Sequence, residues 1–396
     1  MSMVFHEMKK IWNPKILLVI ALLCTLYYSI FLSFHIENFP NGHPMTEDVG
    51  YSIELLQRYG LTLEEDEYAE FVQETRAKLI AEMEMHIQSN PVFAAAGIFS
   101  YEDYEKLRGR DQLTEAENIA YWTLLGEEGG FARFKMQALE WIESHYYHYP
   151  QYTWPILMSE AANQKERDRL AAIMETGEYR NIMNWHVYEN TVAYSVNLAI
   201  LSVLAVLTLV SPLIVTDRAR NVHLLQYTAK QGRSILQKQL AAVLLSAFLL
   251  TTLLLVVFGA IYATNGTWVF WNSGLTSFLN SYTFWFKMTY GQYLVIYIVL
   301  LYVLCLGTAA LAFVLSRLSR NLITLILKLI PVFGVLALLC GFVFVNPFSL
   351  ENIVYRTTGI PGMEPFVCGL VFLAGVAASL YIVRREKKVD VMDAIG

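Results

Sequence analysis

The sequence predicts an all-α, polytopic membrane protein: six transmembrane helices, an N-terminal amphipathic helix, and a large, mainly helical extracellular domain between the first two spans. Three observations carry this expectation. Hydrophobic residues make up 55% of the 396-residue chain and charged residues only 16%, a balance unlike that of a soluble globular protein. Six runs of nearly uncharged residues are each about 18 or more long, enough at about 1.5 Å per helical residue to cross roughly 30 Å of hydrocarbon. Finally, residues 35–190 hold 12 basic and 28 acidic residues, a net −16, whereas the remainder of the chain is +10.

Residues 1–15 are read as an amphipathic cytoplasmic helix at the interface. Val4, Phe5, Met8, Ile11 and Trp12 recur at helical spacing opposite Glu7, Lys9, Lys10 and Asn13. Pro14 disfavours a helical conformation at Asn13, so the chain is expected to bend there before the first span. A merely basic flank that sets topology is the plainer alternative. The spans themselves are predicted at 16–34, 192–215, 240–262, 293–315, 323–345 and 366–383, each helical because lipid offers no partner to open backbone groups. The first run is too long for the apolar core of a signal peptide and no small-x-small site follows it, so it is read as an uncleaved anchor.

Orientation follows from the basic flanks. One set of segments carries Lys9, Lys10, Lys15, Arg218, Arg220, Lys230, Arg233, Lys238, Arg317, Arg320, Arg384, Arg385, Lys387 and Lys388; the two short loops of the opposite side carry Lys287 and Arg356 alone. Both termini, including the tail 384–396, are therefore expected in the cytoplasm, in a multi-pass protein of the cell membrane. All four cysteines fall in apolar runs, so the extracellular domain has no disulfide framework, which suits a bacterial surface.

Within 35–190, capping boxes at Thr62 with Glu65 and at Thr114 with Glu117 open two helices, and further helices are expected near 130–147 and 163–176, separated by "GEEGG" and "YPQYTWP". The aromatic loop between spans three and four is predicted to form helices lying at the outer surface. The Pro- and Gly-rich loop between spans five and six is expected to dip back into the protein.

Between spans two and three lies "TDRARNVHLLQYTAKQGRSILQKQ", 216–239. Apolar positions continue at Val222, Leu225 and Ala229, Gly232 supplies a break, and Ser234 with Gln237 restarts a helix. This is long for a plain connector, although an ordinary basic loop without a partner is the simple alternative. A second turn, "SRLSRN", separates spans four and five. Together with "FHEMKKIWNPK" and the six spans, this stretch resembles the permease subunits of type-2 ABC transporters, the type V exporter fold.

In that family an acidic residue after the second span starts an amphipathic coupling element that meets an ATPase. The resemblance implies this role for Asp217, Arg218, Arg220, Asn221, Leu224, Tyr227, Lys230, Gly232 and Arg233, with Arg317 and Arg320 in the second turn, and an interfacial role for Phe5, Met8 and Trp12. The chain departs from the pattern in Asp217 for a commoner Glu, Asn221 for a frequent Gly, and a large insertion after the first span. The implied assembly pairs an ABC ATPase subunit, which would bind ATP and Mg, with this chain and a second permease chain. No GxxxxGK[ST] phosphate loop occurs here, so this chain is expected to be a transport subunit with no cofactor or catalytic residues of its own.

The expected function is ATP-driven export of an amphipathic peptide, lipid or drug; a transducer that moves its extracellular domain without transport, or a scaffold, are the alternatives. Asn197, Ser202 and Lys328 could line a pathway, though residues such as Asn197 and Ser202 commonly bond between helices and a lysine near a span end commonly reaches the headgroups. Glu143, His145 and His148 lack the ligand number of a metal site, so no metal is expected. The lipid bilayer is an expected partner and nucleic acid is not.

Overall fold

The computed structural model describes residues 2–220 and 235–386, whose regular elements are all helices, with no strand among the described residues. Six helices are long and apolar enough to cross a membrane: Pro14–Leu32, Trp185–Ala219, Ile235–Ala263, Tyr290–Arg317, Leu322–Phe344 and Glu364–Glu386. Their number and places agree with the hydropathy reading. The chain divides into two compact units, one of Met1–Glu37, Thr191–Trp268 and Gly291–Gly396, the other of Asn38–Asn190 and Val269–Tyr290.

In the first unit, the leader helix Ser2–Ile11 ends as expected before Pro14, and Asn13 takes an extended conformation (φ −69°, ψ 131°) in which its side chain accepts the Lys15 N–H. The second span is the centre of the bundle, with 78% of its apolar window buried against 11% for the first and fifth spans. The fourth and sixth spans touch at backbone distance. A Cβ on Gly375 would lie 2.7 Å from the Gly307 carbonyl oxygen, and one on Gly307 would lie 2.8 Å from the Phe372 backbone. Ser379 completes the contact by donating to the Ala310 carbonyl at 3.0 Å. Small residues here serve packing within one chain, as helices without a hydrophobic drive between them require. The loop after the fifth span turns inward: Phe348, Leu350, Val354 and Tyr355 are buried, and Asn352 caps the fifth span by donating to the Val345 carbonyl at 2.7 Å.

The second unit is built on the helices Met45–Tyr59, Glu65–Ser89 and Ala132–His148, which close over Leu55, Phe71, Met83, Met136, Leu139 and Ile142. The Thr114–Glu117 capping box is present. The one expected at Thr62 is not: Leu63 N–H and Ile182 N–H bond the Arg180 and Leu61 carbonyls, both at 3.0 Å. That pairing holds residues 61–63 extended, and the helix instead starts after Glu64, whose N–H meets the Glu67 carboxylate at 3.0 Å. Nor does "YPQYTWP" break the chain. A wide turn at Tyr149–Thr153 carries the helical path into Trp154–Glu160, the Trp154 N–H reaching back to the Tyr149 carbonyl and so bypassing the prolines, which have no N–H to give.

The largest correction concerns the aromatic loop between spans three and four. Apart from one short turn, Thr267–Phe270, it forms no helix. Residues 269–290 belong to the second unit, with Phe278 and Leu279 in its core and Leu275 and Phe284 fully buried. Burying an aromatic ring in a protein core satisfies its apolar surface as well as a headgroup layer does.

Candidate functional site at the feet of the second and third spans

Within the first unit, the leader helix packs against the start of the third span. Its buried side overlaps the apolar stripe that spacing selects but is turned from Phe5 toward Glu7. Ile11 is buried, but so is Glu7, 4% exposed, while Phe5 is 58% exposed. The reason is a polar cluster. Lys10 Nζ lies 2.8 Å from a Glu7 oxygen and 3.1 Å from Asp217 Oδ2. Gln239 Nε2 donates to the same two carboxylates, at 3.1 Å to Glu7 and 2.9 Å to Asp217.

Two carboxylates, one ammonium and one amide thus satisfy each other where a lone buried charge would be costly. Burial acts to lower the Lys10 pKa, and its hydrogen bonds and charge interactions with Glu7 and Asp217 more than reverse this, leaving it above its ordinary value. A second tie lies two turns further along the third span, where Trp12 Nε1 donates to Ser246 Oγ at 3.1 Å. Met8 is half-buried between these anchors. A small cavity of about 100 Å3 adjoins the cluster, lined by Lys10, Asn13, Pro212, Thr216, Asp217 and Arg220.

The neighbouring turn is fastened to the same place. Arg218 donates to the Ser319 carbonyl at 2.8 Å and to the Arg317 carbonyl at 3.2 Å, covering carbonyls that the end of the fourth span leaves without helical partners. Arg317 in turn pairs with Glu386 at 2.7 Å, at the end of the sixth span. Arg220 and Arg320 are exposed. Of the predicted coupling residues, the fold therefore gathers Asp217, Arg218 and Arg317; Asn221, Leu224, Tyr227, Lys230, Gly232 and Arg233 lie outside the described residues, as does the helix restart at Ser234.

Each pathway candidate is hydrogen-bonded within the structure. Asn197 accepts from Tyr27 at 3.3 Å and bonds its own helix at Ala193. Ser202, fully buried, returns its hydroxyl to the Leu198 carbonyl at 2.7 Å. Lys328 reaches the Leu318 carbonyl at 2.8 Å. In the second unit, Glu143 pairs with Arg76, His145 bonds the Trp141 carbonyl and His148 meets Ser144.

Sequence reasoning missed Gln239 and Glu386 and placed Glu7 and Lys10 on the polar face of the leader, with Lys10 also a topology signal, without giving either a partner. The available signs were an acid and a lysine three apart on the leader and a glutamine opening an otherwise apolar span. No protein-family model, no curated protein and no solved structure matches the chain.

Proposed function

We propose that the chain is the membrane permease subunit of an ATP-driven ABC exporter, acting with a second permease chain and with ATPase subunits that bind ATP and Mg. The observation that carries this reading is the Glu7–Lys10–Asp217–Gln239 cluster. Asp217 and Gln239 stand at the two ends of the segment 216–239, and one hydrogen bond of 2.9 Å joins them. Force applied to that segment enters the second and third spans together, and Lys10 passes it to the leader helix. Arg218 links the same point to the turn after the fourth span. A foot clamped in this way transmits a displacement instead of absorbing it, which is what a subunit driven by a separate ATPase needs.

The basic flanks support a cytoplasmic position for this foot, in the cell membrane, with both termini inside and residues 35–190 outside. The cargo class consistent with entry from the bilayer or cytosol is an amphipathic peptide, lipid or drug. To test the proposal, the tagged full chain is purified in mild detergent and the eluate assayed for vanadate-sensitive, Mg-dependent ATP hydrolysis. Activity in the wild type that disappears with Arg233→Glu or Tyr227→Ala supports it. Absence of any ATP-hydrolysing chain from the wild-type eluate defeats it. Hydrolysis that reshapes residues 35–190 but drives no flux from proteoliposomes assigns the chain to transduction instead.

A further inference from the structure

An apolar groove of about 480 Å3 runs along the fourth, fifth and sixth spans, walled by Leu311, Pro331, Val335, Leu339, Leu370 and Ala374. Its walls are far from covered: Val335 is 58% and Leu370 50% exposed. On a helix apolar enough to cross a membrane, such a face meets acyl chains.

What gives the groove a direction is its charged end. Pro331, Val335 and Leu339 share one face of the fifth span, and Lys328 precedes Pro331 by one turn on that face. Its ammonium donates to the carbonyl of Leu318 at 2.8 Å, and Leu318 is the first residue past the end of the fourth span, whose last two turns begin at Leu311. Both walls therefore lead to the same cation. Only one of the three ammonium hydrogens is needed for that carbonyl. Arg320, in the adjoining turn, and Arg385, at the end of the sixth span, are exposed. The nearby acid, Glu386, is paired with Arg317.

We propose that Lys328 and this groove form a binding site for one phospholipid with an anionic headgroup, the headgroup phosphate on Lys328 and one acyl chain along Val335 and Leu370. The site stands independently of the transport reading, since it needs neither an ATPase nor a cargo. The inserted chain contributes apolar contact without orientation, and the ammonium supplies both register and preference for negative charge.

Delipidated full-length protein is titrated with phosphatidylglycerol or with phosphatidylcholine of identical acyl chains, and bound lipid is counted by native mass spectrometry. Wild type is expected to prefer phosphatidylglycerol by roughly fivefold, the equivalent of one lysine near an anionic headgroup. Lys328→Gln should lose the preference and keep weak binding of both lipids. Val335→Trp, at a position with room for the ring, should bind neither at this site; Leu370→Trp serves if that variant does not fold. Equal affinity of wild type for the two lipids overturns the proposal, as does a preference that survives Lys328→Gln. So does a protein dimer that Val335→Trp dissolves and lipid leaves intact, because a second copy then occupies the groove.

Discussion

Replacing Lys10 by Met exposes the electrostatics of the clamped foot. Without the ammonium, Glu7 and Asp217, on residues 4% and 7% exposed, are left with the Gln239 amide between them. Both lie within 3.1 Å of that amide nitrogen, so the carboxylates are no more than about 6 Å apart and repel by roughly 3 kcal/mol at an effective dielectric near 20. Water reaches the site through the Lys10 side chain, which is 38% exposed; allowing for that screening, Lys10→Met should cost about 2 kcal/mol.

The diagnostic variant is Glu7→Gln. With Lys10 present it removes an ion-pair partner and destabilises; with Lys10 already replaced by Met it removes a repulsion and stabilises by about 1–2 kcal/mol. The same substitution thus changes sign with its background. Unfolding of the purified full chain in mixed micelles, titrated with denaturing detergent and followed by tryptophan fluorescence, reads the four corners of the cycle. Equal effects of Glu7→Gln in both backgrounds would refute the argument, since the two carboxylates then do not feel each other.

Other consequences are open to measurement. Asp48, buried and bonded to Asn184 at 2.6 Å, has its pKa raised to about 6, chiefly by burial, against the opposing Asn184 hydrogen bond and His145 charge. The folded state therefore holds a proton that the unfolded chain has released, so stability falls as pH rises from about 4 to about 6. Asp48→Asn should stabilise the protein by roughly 2 kcal/mol at pH 7.5 and by little near pH 4; thermal unfolding at the two pH values checks this, and a pH-independent difference contradicts it. Phe278→Ala should cost about 3–5 kcal/mol, read as early exposure of residues 38–190 to protease; unchanged resistance would mean that the loop 269–290 adds nothing to that core. Gly375→Leu is expected to force the fourth and sixth spans apart, so that cysteines placed at Ala310 and Ser379 no longer cross-link; retained cross-linking would show that the contact can yield. Exchanging the charges of Arg317 and Glu386 should restore most of the stability lost in either single reversal, in the same detergent titration, and a double variant as unstable as the worse single one rejects the pair.

The six spans were legible because hydropathy averages over many residues, and a bilayer-length run of apolar side chains is visible without knowing its neighbours. Asn13 and Thr114 were equally legible, since Pro14 and Glu117 act on the backbone within a few residues. Thr62 shows where such local reasoning stops: its capping role was displaced by a pairing with residues more than a hundred positions away.

By itself, the sequence determined the helical class, the number and places of the spans and the acidic segment between the first two. All of these rest on composition or on contacts inside one helical turn. The tertiary structure alone decided that Glu7 faces inward beside Asp217 and Gln239, that Phe278 serves the core of the second unit, and that the fourth and sixth spans meet through Gly307 and Gly375. Those partners lie tens to hundreds of residues apart, and the energy of a buried charge or a close backbone contact depends on what the folded chain places beside it, which no periodicity records.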